Sequence, residues 1–152
     1  PELADFVGRD RQIQRRSEIL RLDPIDPAKN GKLPEWIVLE LVEKHAGMTL
    51  GVKAGNGAQS LVPAEFLNRL SHAAWYQFGI LTELVRGGIE QALIRDPEAT
   101  EVHNKDFTNA YKAFSGCTKA QNVMTAQRWH EIDPREAIHQ TRAATYIPKQ
   151  GA

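Results

Sequence analysis

Apolar residues recur through residues 63–95 at helical spacing. Leu67, Leu70, Ala74, Phe78, Leu81, Val85, Ile89 and Ala92 step by 3, 4, 4, 3, 4, 4 and 3. At 100° per residue they fall within a stripe of ~100°. Asn68, His72, Tyr76, Glu83, Arg86 and Glu90 take the opposite side. Pro63 suits the start of this helix, and Asp96-Pro97 its end. A straight helix of that length reaches ~50 Å, whereas a compact chain of this size is only ~35–40 Å across. The molecule is therefore either elongated or has a break in this helix. Gly79 is one place for a break. Gly87-Gly88 is the favoured one, since two glycines in a helix interior cost ~2 kcal/mol relative to alanine.

A second long helix is predicted from about Lys105 to Ile132. Its first half carries Phe107, Tyr111 and Phe114 on one stripe, with Ala110 and Cys117. In its second half Thr118, Gln121 and Thr125 continue the same stripe before Trp129 and Ile132 restore it. A buried face seldom turns polar in mid-course, so this half is read first as partly exposed near a domain edge, the alternative being that it faces another subunit or a polar ligand. A third helix is predicted over 34–47, with Pro34 in its first turn and Gly47 as its stop. Its apolar arc is wide (Trp36, Leu39 and Val42, with Ile37 and Leu41 close by), which predicts a largely buried helix. Asp133, Pro134 and Glu136 read as cap, first turn and capping-box acid of a short helix over 134–145.

The remaining segments are less regular. Residues 1–23 form a predicted N-terminal helical arm with a thin apolar seam, Phe6, Ile13 and Leu20, lying within ~40° on a helical wheel. The linker 24–33 belongs to "DPIDPAKNGKLP", whose Asp-Pro and Asn-Gly pairs break regular structure. Asn56-Gly57 suits a type I′ turn, so a short β-hairpin at 48–62 is expected, with 48–53 against 58–62. The competing reading is a glycine-rich connector without strands. Residues 146–152 form an extended C-terminal tail. Neither end is able to fold alone, and partners are expected to hold both.

These elements predict a single mainly α domain over 1–152: a helical bundle whose two long amphipathic helices form an antiparallel core. The 152 residues suffice for one real core. No apolar run approaches the ~20 residues that span a bilayer, and no signal peptide is expected. Pro1 suggests that an initiator methionine was removed. One cysteine, Cys117, cannot form an internal disulfide, which points to a reducing compartment. The expected location is therefore cytoplasmic, or within a virion assembled there.

Charge focuses attention on "RDRQIQRRSEILRL". Arg9, Arg11, Arg15, Arg16 and Arg21 oppose only Asp10 and Glu18, a local net of +3. Arginine suits bidentate contacts to carboxylate or phosphate. A groove-reading helix concentrates its charge on one face, whereas these arginines point several ways. The whole chain has a net charge of zero, which argues against a surface given over to nucleic acid.

Catalytic and metal motifs are absent from the sequence. The histidines are His45, His72, His103, His130 and His139, with no His-Glu-x-x-His and no second cysteine for zinc. Glu136 and His139 make one Glu-x-x-His, where a carboxylate-bridged di-iron bundle needs two and further glutamates. "GVKAGNG" lacks the Gly-Lys-Ser/Thr of a phosphate loop. Cys117 sits on an apolar stripe, the ordinary place for a core thiol. No catalytic residue, metal or cofactor is expected.

The expected function is a non-enzymatic structural or assembly subunit, such as a virion or phage component, working as a homo-oligomer or in a larger complex. Its interface residues are expected to be Phe6, Ile13, Leu20, Trp75, Tyr76, Thr118, Gln121 and Thr125, since exposed aromatic residues often anchor interfaces. The rival is a nucleic-acid-binding protein using the five arginines, with Lys53 joining them. An accessory subunit of an enzyme complex stands third.

Overall fold

The structure, a computed structural model, describes residues 23–26, 29–52 and 61–136. The arm with Phe6, Arg9, Arg11, Ile13, Arg15, Arg16, Leu20 and Arg21 lies outside them, as do Lys53, His139 and the tail 146–152. The described chain is mainly helical, with one two-stranded parallel sheet.

Helix α1 (Leu33–Leu39) starts with Pro34 in its first turn and continues directly into a π-helix, Glu40–His45. The wider winding is visible where the Ala46 amide donates to the Leu41 carbonyl, five residues back. Gly47, at φ +64°, ends the segment as its sequence suggests. Ile37, Val38 and Val42 enter the core, but Trp36, expected on the buried side, is 54% exposed. Strand β1 (Thr49–Leu50) follows.

The apolar stripe of 63–95 is carried by two helices, α2 (Ala64–Ala73) and α3 (Phe78–Arg95). Leu67, Leu70, Ala74, Leu81, Val85 and Ala92 are buried as the periodicity predicts. The break, however, falls at 74–77 rather than at Gly87-Gly88. Trp75 and Tyr76 adopt left-handed φ values of 49° and 56°, a conformation costly for residues with a Cβ. The Tyr76 amide donates back to the Ser71 carbonyl, and the Tyr76 carbonyl accepts from the Ile25 amide at 2.6 Å. Helix α3 runs unbroken through the glycine pair because another helix lies against it. A Cβ at Gly88 would stand 2.8 Å from the Phe107 ring, and one at Gly87 3.2 Å from the Ala110 Cβ.

That neighbour is α4 (Asn104–Ser115), which follows strand β2 (Glu101–Val102). The expected helix over 105–132 stops seventeen residues early, at Gly116, whose left-handed φ of +67° caps it. This explains the polar stretch after Cys117: it is no helix face. Two 3₁₀ turns follow, Lys119–Gln121 and Trp129–Glu131. Thr118 and Gln121 form a capping box around the first.

Strand β1 pairs in parallel with β2, Thr49 beside Glu101 and Leu50 beside Val102. The expected hairpin partner is corrected accordingly: Leu61 and Val62, the described part of 58–62, form a bend. A parallel pair needs a long crossover, and α2 and α3 supply it. Leu50 and Val102 are buried, so the small sheet closes one side of the core.

Side chains from α2 hold the irregular segment 116–132 in place. Arg69 donates through Nη1 to the carbonyls of Val123 (3.0 Å) and Ala126 (2.8 Å) and binds Glu65 through Nε and Nη2. His72 Nε2 donates to the Ile132 carbonyl at 2.8 Å. Buried Asn122 donates to the Thr108 carbonyl at 3.0 Å, tying the same segment to α4. Residues 134–136 are helical, with the Asp133 carboxylate accepting the Arg135 amide; the rest of the predicted 134–145 helix lies outside the described residues.

Candidate interaction cleft

A cavity lies between the π-helix and the second half of α3. It is an open cleft of about 500 Å³ lined by Leu41, His45 and Ala46 on one wall and Arg86, Ile89, Glu90, Leu93 and Ile94 on the other. Its floor is aliphatic. Leu93 is 43% exposed and Ile94 67% exposed. The rim is polar: Arg86 and Glu90 stand one turn apart and form no ion pair among the described residues, while His45 Nδ1 donates to the Glu40 carbonyl at 3.0 Å. Such a cleft favours an apolar partner group bordered by charge. The π-helix contributes directly to its shape. Winding wider than an α-helix is rare and recurs at functional sites, and here it places Leu41, His45 and Ala46 together on the cleft wall.

The residues whose ionisation is displaced lie elsewhere. Buried Asp106 receives Arg95 through Nε and Nη2, both at 3.1 Å, and the His103 amide at 2.8 Å. Burial pushes its carboxyl pKa up, but the Arg95 and His103 hydrogen bonds and charges outweigh that and hold it below the ordinary value. Asp133 is lowered to about 2, chiefly by its hydrogen bonds with Arg135. Both pairs fasten chain segments together: Arg95 links the end of α3 to the Glu101 carbonyl and α4, and Arg135 also lies 5.5 Å above the Trp75 ring.

A smaller cavity of about 60 Å³ lies beside Tyr111, Ser115 and Cys117. The Tyr111 hydroxyl is buried and has no hydrogen-bond partner among the described residues. The nearby Ser115 hydroxyl is committed to the Tyr111 backbone carbonyl at 2.7 Å. Burial, with a lesser contribution from Cys117, pushes the phenol pKa up to about 12. The cavity has room for ordered water.

The five described interface residues expected from sequence, Trp75, Tyr76, Thr118, Gln121 and Thr125, are placed apart. Trp75 and Tyr76 occupy the corner between α2 and α3. Trp75 is 42% exposed beneath Arg135, while half-buried Tyr76 meets the His72 ring edge-on at 6.2 Å. Thr118 and Gln121 bond to each other. Thr125 lines a separate polar cleft of about 420 Å³ with Glu65, Arg69 and Asn104. None of them lines the α3 cleft. The residues that do line it carry a signal in the sequence: Leu93 and Ile94 lie within ~60° of Glu90 on the helical wheel, on the polar side of α3.

Among the described residues no group of three or more His, Cys, Asp or Glu side chains is arranged to hold a metal ion. No described helix is long and apolar enough to cross a membrane. Fold and cleft together define a mainly helical domain with one open, apolar, charge-rimmed recess. In comparison with known proteins, no family model, no curated protein and no solved structure matches this chain.

Proposed function

We propose that this chain is a non-enzymatic assembly subunit whose α3 cleft receives another protein surface. The observation that carries the reading is the exposure of Leu93 and Ile94 beside Leu41 and Ile89, an apolar recess bounded by Arg86, Glu90 and His45. A second observation supports it. The described groups with displaced pKa, Arg95, Asp106, Tyr111, Asp133 and Arg135, do not line the cleft, where a catalytic site gathers such groups. A virion or phage component and an accessory subunit are both settings for such a role.

The unburied parts of Leu93 and Ile94 together amount to about one aliphatic side chain, whose burial contributes ~1.5–3 kcal/mol. Replacing both by glutamate should therefore weaken assembly by more than about tenfold. Cross-linking in the source cell followed by light scattering of the purified full chain tests this. The expected result is a complex heavier than the 17.0 kDa chain that Leu93→Glu/Ile94→Glu disperses without loss of helical circular dichroism. A free monomer with no cross-linked partner would end the proposal. Binding to duplex DNA that weakens steeply with salt and is lost in Arg15→Ala/Arg16→Ala would favour the nucleic-acid reading instead.

A further inference from the structure

We infer that the cleft is closed by a second copy of this chain, the two α3 helices lying antiparallel across a twofold axis that passes the seam midway between Arg86 and Glu90. This rests on the assembly reading above and specifies its partner. Thr82, Arg86, Ile89 and Leu93 are spaced 4, 3 and 4 residues apart. On a helical wheel they lie within ~60° of one another, a heptad-type seam about three turns long. The structure leaves this seam accessible: Arg86 and Leu93 are exposed, Thr82 and Ile89 half-buried. The opposite side of α3 is occupied by α4, pressed against Gly87 and Gly88.

Arg86 on the seam and Glu90 at its edge, about 40° from Arg86 on the wheel, choose both the partner and its direction. Arg86 and Glu90 carry opposite charge one turn apart, and neither has an ion-pair partner among the described residues. Two parallel copies would set arginine against arginine and glutamate against glutamate. Antiparallel copies related by the twofold set each Arg86 against the other chain's Glu90, so one pattern supplies both halves of the contact. In the same register Leu93 meets the other chain's Thr82 methyl, and the Arg86 stem meets Ile89. Zero net charge on the chain removes long-range repulsion between copies.

Sedimentation velocity on the full chain tests this with Arg86→Glu and Glu90→Arg. Both positions are exposed, so neither change disturbs the core. The wild type should sediment at twice 17.0 kDa. Each variant alone should dissociate at least tenfold more readily, because its facing charges are alike. An equimolar mixture of the two variants should recover the dimer, since every facing pair is again acid against base. A monomeric wild type, variants that dimerise normally, or a mixture that stays dissociated each overturns the second-copy arrangement. If any of these occurs while Leu93→Glu/Ile94→Glu still abolishes a cross-link to a different protein, the assembly reading survives with another occupant. If no complex forms at all, both fail.

Discussion

Gly88→Ala tests why a glycine pair sits inside an unbroken helix. If the pair served only as a weak point, alanine there would stabilise α3 by ~1 kcal/mol per site through helix propensity. The packing predicts the reverse. The added Cβ would lie 2.8 Å from both Cδ1 and Cε1 of Phe107 and 3.3 Å from its Cγ, against an ordinary carbon–carbon separation of ~3.5–4.0 Å. Phe107 is buried and stands edge-on to Phe66 with ring centroids 5.0 Å apart, which restricts how far the ring can shift. Overpacking of this kind costs ~1–3 kcal/mol. The confinement of the ring puts it near the upper end, leaving a net loss of ~2 kcal/mol after the propensity gain. Gly87→Ala meets only Ala110, its Cβ at 3.2 Å and its Cα at 3.9 Å, and should come out near neutral. Gly79→Ala meets nothing within 4 Å and should gain up to ~1 kcal/mol. Urea unfolding followed by circular dichroism and by the fluorescence of the three tryptophans gives all three values. If Gly88→Ala proves as stable as Gly79→Ala, the close approach of α3 and α4 is wrong.

Other perturbations probe separate contacts. Arg69→Ala removes the donors to the Val123 and Ala126 carbonyls and should cost ~2–3 kcal/mol. Arg69→Lys should recover only part of this, because a single ammonium cannot reproduce the guanidinium fork; thermal melts of both variants check it. Arg95→Met leaves the Asp106 carboxylate buried without its cation and should lower the thermal unfolding midpoint at neutral pH. The folded-state pKa of Asp106 lies below its unfolded value, so its stabilisation is present above the ordinary carboxylate range and is lost as pH falls through the folded pKa. Acid unfolding of Asp106→Asn should accordingly be less steep below about pH 4 than that of the wild type. Tyr111→Phe removes a buried hydroxyl with no described partner and should be neutral or stabilising by up to ~1 kcal/mol. A loss greater than ~1 kcal/mol on urea unfolding would show that the hydroxyl is hydrogen-bonded.

Helical class and much of the core were legible in the chain because helix periodicity is local. Leu67, Leu70, Ala74, Leu81, Val85 and Ala92 reach the interior as their spacing requires, and Cys117 is buried as expected on an apolar stripe. Gly47 and Asp96-Pro97 ended helices where their backbone chemistry says they should. Gly116 carried the same stop signal, but the aromatic stripe before it and Trp129 beyond it made a longer helix look continuous. The cleft was half legible: Leu93 and Ile94 are apolar residues on a polar helix side, but nothing local says that a π-helix will stand across from them.

Tertiary contacts decided the rest. Two glycines that disfavour a helix are kept helical by a second helix pressed against them. Two aromatic residues that disfavour a left-handed turn are held there, with the Tyr76 carbonyl accepting the Ile25 amide from some fifty residues earlier. Strand β1 found its partner about fifty residues away rather than across the nearby Asn-Gly turn. In each case a backbone group or a side-chain face is satisfied by something distant in the chain, and only the assembled fold brings that partner near.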